Sequence, residues 1–139
     1  MGQGGIKVFK TGHGKIAAQK EENKLMDLSS VLALHKALDA KFAKDIIIMD
    51  LAEVSPIADY FVIATGGSAA HMAALAETTE QSLTDSGYSL SHIEGAGTSN
   101  WVLLDFGSVV VHLFDKESRE YYHLERIWRD AKVVEPQGQ

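Results

Sequence analysis

Cysteine is absent from all 139 residues. Disulfides, thiolate-held zinc and thiol catalysis are therefore excluded. Long apolar runs are absent too, and none approaches the roughly 20 residues that cross a bilayer as a helix. No signal-peptide pattern opens the chain, so an intracellular, cytoplasmic setting away from membranes is the expectation. Excess positive charge is a third absence. Thirteen Lys and Arg face 19 Asp and Glu, for a net charge of −6. Binding along phosphate backbones needs a Lys/Arg surface, so little direct contact with nucleic acid is expected. The early part of the chain is the basic part: residues 1–25 carry a net +3, which leaves −9 on the remainder. An acidic body suits a basic protein partner, because opposite potentials steer association.

Chemical signatures are equally sparse. His13, His35, His71, His92, His112 and His123 form no HxH or HExxH pair, so no metal and no cofactor is expected. Gly66-Gly67-Ser68 joins a predicted strand to a predicted helix. Such a turn can present backbone N–H groups to a phosphate. The phosphate-loop and dinucleotide fingerprints are missing, and the favoured reading is a tight turn with Ser68 as helix cap. Asp105 has no second acid two residues away, and Glu94 ends a different strand. The carboxylate pair of a two-metal transferase is therefore not in place. No nucleophile elbow accompanies Ser68 and His71, and no catalytic residue is assigned.

What the chain does have is pattern. Trp101–Phe106 and Val109–Phe114 are apolar runs separated by Gly107-Ser108, which suits a two-residue hairpin turn. That turn sets Phe106 opposite Val109, Leu104 opposite Val111 and Val102 opposite Leu113. Side chains alternate across a strand, so one hairpin face is wholly apolar. The other carries Trp101, Leu103, Asp105, Val110, His112 and Phe114. Two readings of this mixed face stay open. A further element could cover it, with Asp105 and His112 finding partners. Alternatively, aromatic anchors among a few polar groups form a protein-binding surface.

Around the hairpin, periodicity predicts a helix over 27–44, capped by Asp27 or Ser29, with Leu28, Val31, Leu32, His35, Leu38 and Phe42 on one face. Strands are predicted over 45–51, 60–65 and 88–94, a helix over 69–86 stopped by Gly87, and a last helix over 116–131. In that last helix Tyr121, Leu124 and Ala131 share one face, and Trp128 is read as a packing anchor. The expected order is α-β-β-α-β-β-β-α, a single α/β domain of α+β type with a mixed five-stranded sheet flanked by helices. Residues 1–25 read as a flexible leader, with Met26 a candidate natural start. Residues 26–133 form the domain, and 134–139 a disordered tail.

Several blocks resemble one family. The run Asp59-Tyr60-Phe61-Val62-Ile63-Ala64-Thr65-Gly66, followed by Ser68 and His71, is similar to the DFFVIATGxSxxH block of the ribosomal silencing factors, also called Iojap-related proteins. So are Glu94-Gly95, Trp101, Leu104-Asp105-Phe106-Gly107, Val110-Val111-His112, Arg119, Tyr122, Leu124-Glu125 and Trp128. Tyr60 stands where that block usually has Phe, and Ser108 where an acid is frequent. The resemblance implies a nucleotidyltransferase-like fold without the catalytic acids, and a translational repressor that is not an enzyme. It implies binding to the large ribosomal subunit through the ribosomal protein numbered fourteen. Occupying that surface blocks joining of the small subunit and lowers translation when nutrients are short. Homodimers are implied for isolated members. Partner-binding candidates are Trp101, Asp105, His112 and Phe114 on the mixed face, then Arg119, Tyr122 and Glu125 on the last helix. The rival expectations are a nucleotide-binding or transferase activity at Gly66, Gly67, Ser68 and Asp105, and a large-subunit assembly factor.

Overall fold

The computed structural model describes residues 12–97, 100–127 and 129–136. Helix α1 (Gly12–Ala40) leads into strand β1 (Lys44–Asp50), strand β2 (Tyr60–Thr65) and helix α2 (Ala69–Asp85). Strands β3 (His92–Glu94), β4 (Trp101–Asp105) and β5 (Val109–Phe114) follow. Short helices α3 (Lys116–Tyr122) and α4 (Leu124–Ile127) precede a final strand, β6 (Lys132–Val134). The strands form one sheet in the order β3-β4-β5-β2-β1-β6. Every pair is antiparallel except β2 with β5, which run parallel. The sheet is mixed, as expected, with six strands rather than five.

The hairpin register is the one the turn residues dictate. Val102 pairs with Leu113, Leu104 with Val111, and Trp101 with Phe114. The Phe106 N–H donates to the Val109 carbonyl at 2.9 Å. Gly107 sits at φ +87, a value the first position of such a turn demands and that side chains resist. The apolar face of the hairpin is buried: Val102, Leu104, Phe106, Val109, Val111 and Leu113 join Val62, Ala64 and Ile48 beneath α1 and α2. Helix α1 contributes Val31, Leu34 and Leu38, and α2 contributes Met72, Leu75 and Leu83. A smaller cluster of Met49, Leu51, Ile63 and Phe114 lies on the opposite sheet face. Strand β1 thus feeds both clusters, which explains its unbroken apolar run.

Three departures from the sequence reading have local causes. Helix α1 starts at Gly12 rather than Asp27, so the part of the presumed leader from Gly12 on is helical and the boundary at residue 25 falls inside α1. Residues 1–11 lie outside the described residues. Asp27 is then no cap. Buried in mid-helix, it accepts from the Tyr88 hydroxyl and, at 3.2 Å, from Ser108. Burial and the bond to Asp27 push the Tyr88 phenol up to about 12. Tyr88 is thereby outside β3, which is only three residues long. At the other end α1 closes at Ala40, because Phe42 turns left-handed (φ +66) and Ala43 N–H bonds back to the Leu38 carbonyl. Phe42 is exposed, not part of the stripe.

The last helix is the third departure. His123 adopts φ +48 and ends α3, and after α4 the chain returns to pair β6 with β1, taking in Val134 from the expected tail. A continuous helix would carry Leu124 and Ala131 away from the sheet; the break lets both pack against the smaller cluster. Tyr121, expected on the buried face, is 80% exposed. Trp128 lies outside the described residues.

Leu104 is fully buried at the centre of the larger cluster. Leu104→Ala is expected to destabilise the protein by about 2–5 kcal/mol, the range for a deleted core Leu. Urea denaturation measures it, and a loss below about 2 kcal/mol would contradict the core described here.

Candidate functional site

The second sheet face is half covered, by α3 and by Leu124 and Ala131 beyond it. Asp115 caps α3 by accepting from the Ser118 N–H at 2.8 Å. One turn on, Arg119 points inward and is 9% exposed. Its Nε and Nη2 donate to Glu125 Oε2 at 3.0 and 2.8 Å. Its Nη1 donates to the Asp45 carbonyl at 2.7 Å and to Thr65 Oγ1 at 2.9 Å. Asp45 presents that carbonyl from a left-handed residue (φ +49), where the β1–β2 register shifts. Partial burial works to raise the Glu125 pKa, and the hydrogen bonds and charge of Arg119 outweigh it, holding the carboxyl below its usual range. Removing either partner would strand a desolvated charge, which is why such pairs are sensitive to single substitutions.

Against this anchor runs a series of aromatic rings. Phe61 on β2 lies 4.6 Å from His112 on β5, centroid to centroid. His112 lies 5.9 Å from Trp101 on β4, Trp101 4.8 Å from Tyr122 on α3, and Tyr122 5.0 Å from Tyr121. Phe114 packs beneath Trp101 at 5.0 Å. The series runs from the interior to solvent: His112 is 4% exposed, Tyr122 47% and Tyr121 80%. Trp101 Nε1–H donates to His112 Nδ1 at 3.1 Å. Burial pushes the imidazole of His112 down to about 4 from its ordinary 6.5, so the ring is neutral at physiological pH.

Each candidate from the sequence now has a place. Trp101, His112, Phe114 and Tyr122 form one aromatic cluster, and Arg119 with Glu125 forms the node that holds α3 beside it. His112, Phe114 and Arg119 are buried, so they support the face rather than line its surface. Asp105 stands apart at the turn end of the hairpin, where its Oδ1 accepts from the Gly107 N–H at 2.8 Å. Phe61 and Tyr121 escaped the sequence reading. Phe61 enters through the β2–β5 pairing, which no local pattern announces, and Tyr121 through the break at His123.

The Gly66-Gly67-Ser68 turn is committed to the fold. Gly66 N–H donates to the Phe114 carbonyl at 2.9 Å, and Gly67 N–H to His71 Nδ1 at 2.8 Å. Ser68 caps α2 by accepting from the His71 N–H, and His71 Nε2 then donates to the Lys41 carbonyl at 2.8 Å. A Cβ on Gly66 would come within 2.8 Å of Met72 Sδ, so that glycine serves the close approach of α2. The backbone donors at Gly66 and Gly67 already have partners. Asp105 is also remote, since Thr65 pairs with Phe114 while Asp105 pairs with Val110. Four residues along a strand put about 13 Å between the two ends. Among the described residues, no group of three or more His, Asp or Glu could hold a metal, and no helix is long and apolar enough to cross a membrane.

Comparison with known proteins assigns this architecture. The chain is 38% identical over 111 residues to the ribosomal silencing factor RsfS of Bacillus subtilis, covering 79% of this chain and 94% of that one. A crystal structure of a Chromobacterium violaceum protein superimposes with a TM-score of 0.68 at 32% identity, covering 73% of this chain and 85% of that one. A mouse protein named for mitochondrial assembly of the ribosomal large subunit is 35% identical over 89 residues, 62% of this chain and 39% of its own length. By sequence, the chain stands with proteins named as ribosomal silencing factors. It belongs to the family described as "Ribosomal silencing factor during starvation", whose model matches residues 24–139.

Because burial holds the folded His112 imidazole down at about 4 against its ordinary 6.5, its neutral state contributes stability that is complete above pH 6.5. That contribution falls as the pH drops toward 4, where the unfolded chain binds the proton first, and amounts to about 3 kcal/mol in all. Urea titrations of wild type and His112→Asn across this window are expected to show a shallower slope for the variant. Parallel slopes would contradict a buried neutral imidazole.

Proposed function

We propose that this chain is a translational repressor that docks on the large ribosomal subunit, through its protein fourteen, and sterically blocks joining of the small subunit under nutrient limitation. The observation that carries this reading is the half-open aromatic face beside α3 on an acidic chain, in a member of the silencing-factor family. Trp101, with Tyr122 and Tyr121 beside it, supplies the large amphipathic rings that anchor protein interfaces. Asp105 at the rim meets a Lys or Arg of a basic partner. Phe114, Arg119 and Glu125 hold the platform in shape. Blockade by occupancy needs no reaction, in keeping with a Gly66–Ser68 turn and an Asp105 that lie at opposite sheet ends. A role in large-subunit assembly is the second reading, favoured by the likeness to the mouse assembly protein. It uses the same surface at a different time.

Sedimentation with purified subunits tests the proposal. The protein is expected to travel with the large subunit and to reduce reassociation with the small one. Trp101 is replaced most informatively in this assay: Trp101→Ala should lower affinity roughly 30-fold, the hot-spot range, while the chain stays folded. Asp105→Asn keeps the shape and should weaken binding with a flatter salt dependence. Val102→Ala, on the covered face, should cost stability but not the affinity of the folded fraction. Travel with the small subunit alone, or wild-type affinity for both Trp101→Ala and Asp105→Asn, would refute docking through this face.

A further inference from the structure

His112 is buried, yet its ring does something that a hydrocarbon ring could not. An indole nitrogen only donates, so the 3.1 Å contact from Trp101 Nε1 fixes His112 Nδ1 as the acceptor and puts the imidazole proton on Nε2. Nε2 is buried without a hydrogen-bond partner among the described residues. Leaving a buried polar group unpaired is unfavourable, and a phenylalanine would fill much of the same space without that penalty. Packing alone therefore does not account for a histidine here. The other contacts of the Trp101 ring, to Phe114 at 5.0 Å and Tyr122 at 4.8 Å, are aromatic and weakly directional. The bond to His112 is the contact that fixes which edge of the indole faces inward.

We propose that His112 is a positioning residue: through Nδ1 it locks the orientation of Trp101, so that the indole is presented ready-made to the ribosomal partner. The proposal rests on the docking reading above. Preorganisation of this kind favours binding by removing the cost of ordering the anchor on contact. It also makes the anchor conditional on a neutral imidazole. A protonated ring donates from both nitrogens, so a proton on Nδ1 would set two donors against each other and break the tie. The ionisable groups on the surrounding elements are engaged elsewhere or lie at the far end of the hairpin: Glu94 on β3, in the paired row through Leu103 to His112, is bonded to His92 at 2.7 Å. Arg119 on α3 is held by Glu125, Thr65 and Asp45, and Asp105 on β4 bonds Gly107. Tyr122 on α3 meets Trp101 and Phe114 through its ring. Phe61 on β2 brings no charge. Burial alone drives the imidazole toward neutrality.

The experiment compares His112→Asn, His112→Phe and Trp101→Ala for binding to purified large subunits near neutral pH. The indole N–H resonance of Trp101, identified by its loss in Trp101→Ala, is followed in parallel. Asparagine can place an acceptor close to the position of Nδ1 and should bind within about twofold of wild type. Phenylalanine keeps a ring but no acceptor and should bind roughly tenfold more weakly, the equivalent of one hydrogen bond. The indole resonance should move on acidification in wild type and stay in place in His112→Asn. Wild-type affinity in folded His112→Phe, with Trp101→Ala still weakened, would overturn the positioning role and leave the docking face standing. Wild-type affinity in Trp101→Ala as well would remove the docking face and the positioning role with it. Should His112→Phe fail to fold, an indole resonance indifferent to acid in wild type overturns the proposal by itself.

Discussion

The placement of Arg119 decides what this molecule can present. One guanidinium bonds a strand carbonyl, a threonine hydroxyl and a carboxylate, drawing together β1, β2, α3 and the start of α4. Charge-assisted bonds of this kind are short and directional, so they fix the angle at which α3 leaves the sheet as well as its distance. With α3 held there, Tyr122 reaches Trp101 and Phe114. Without it, the smaller apolar cluster on that sheet face would be open to water. The half-open face is thus a result of where one buried cation finds its acceptors.

Much of this was legible in the residues themselves. A Gly-Ser pair between two apolar runs contains both the turn and the register, because the strand period of two leaves only one face uniformly apolar. The Ser68 cap of α2 is likewise a local signal, and it holds. The silencing-factor family could be read from the blocks around Asp59–His71 and Trp101–Trp128, and the match over residues 24–139 bears it out.

What escaped was non-local or conformationally unusual. A break at a histidine in left-handed geometry leaves no mark of the sort a glycine leaves, so α3 and α4 read as one helix. Strand β6 is three residues long and owes its existence to pairing with β1. Of the two readings left open for the mixed hairpin face, covering by a further element is met in part, since Trp101 and Asp105 stay partly exposed. His112 and Phe114 are covered, with the imidazole partnered by an indole, while Tyr122 stands at the edge of solvent. Sequence alternation gives the side of a sheet on which a residue lies, but not how far a neighbouring helix extends over it.

The sheet order has a kinetic corollary. Strands β4 and β5 join through a tight turn, and β1 and β2 pair across a short connection, so each pair closes with little loss of chain entropy. The seam between them, β2 against β5, brings together residues 60–65 and 109–114, with α2 and two strands in the intervening chain. Contacts so distant along the chain are slow to form. The ring series straddles that seam: Phe61 stands on one side, and His112, Trp101 and Tyr122 on the other. A chain arrested before closure can hold both hairpins and still lack the assembled ring series, so a complete series reports that the seam between them has closed.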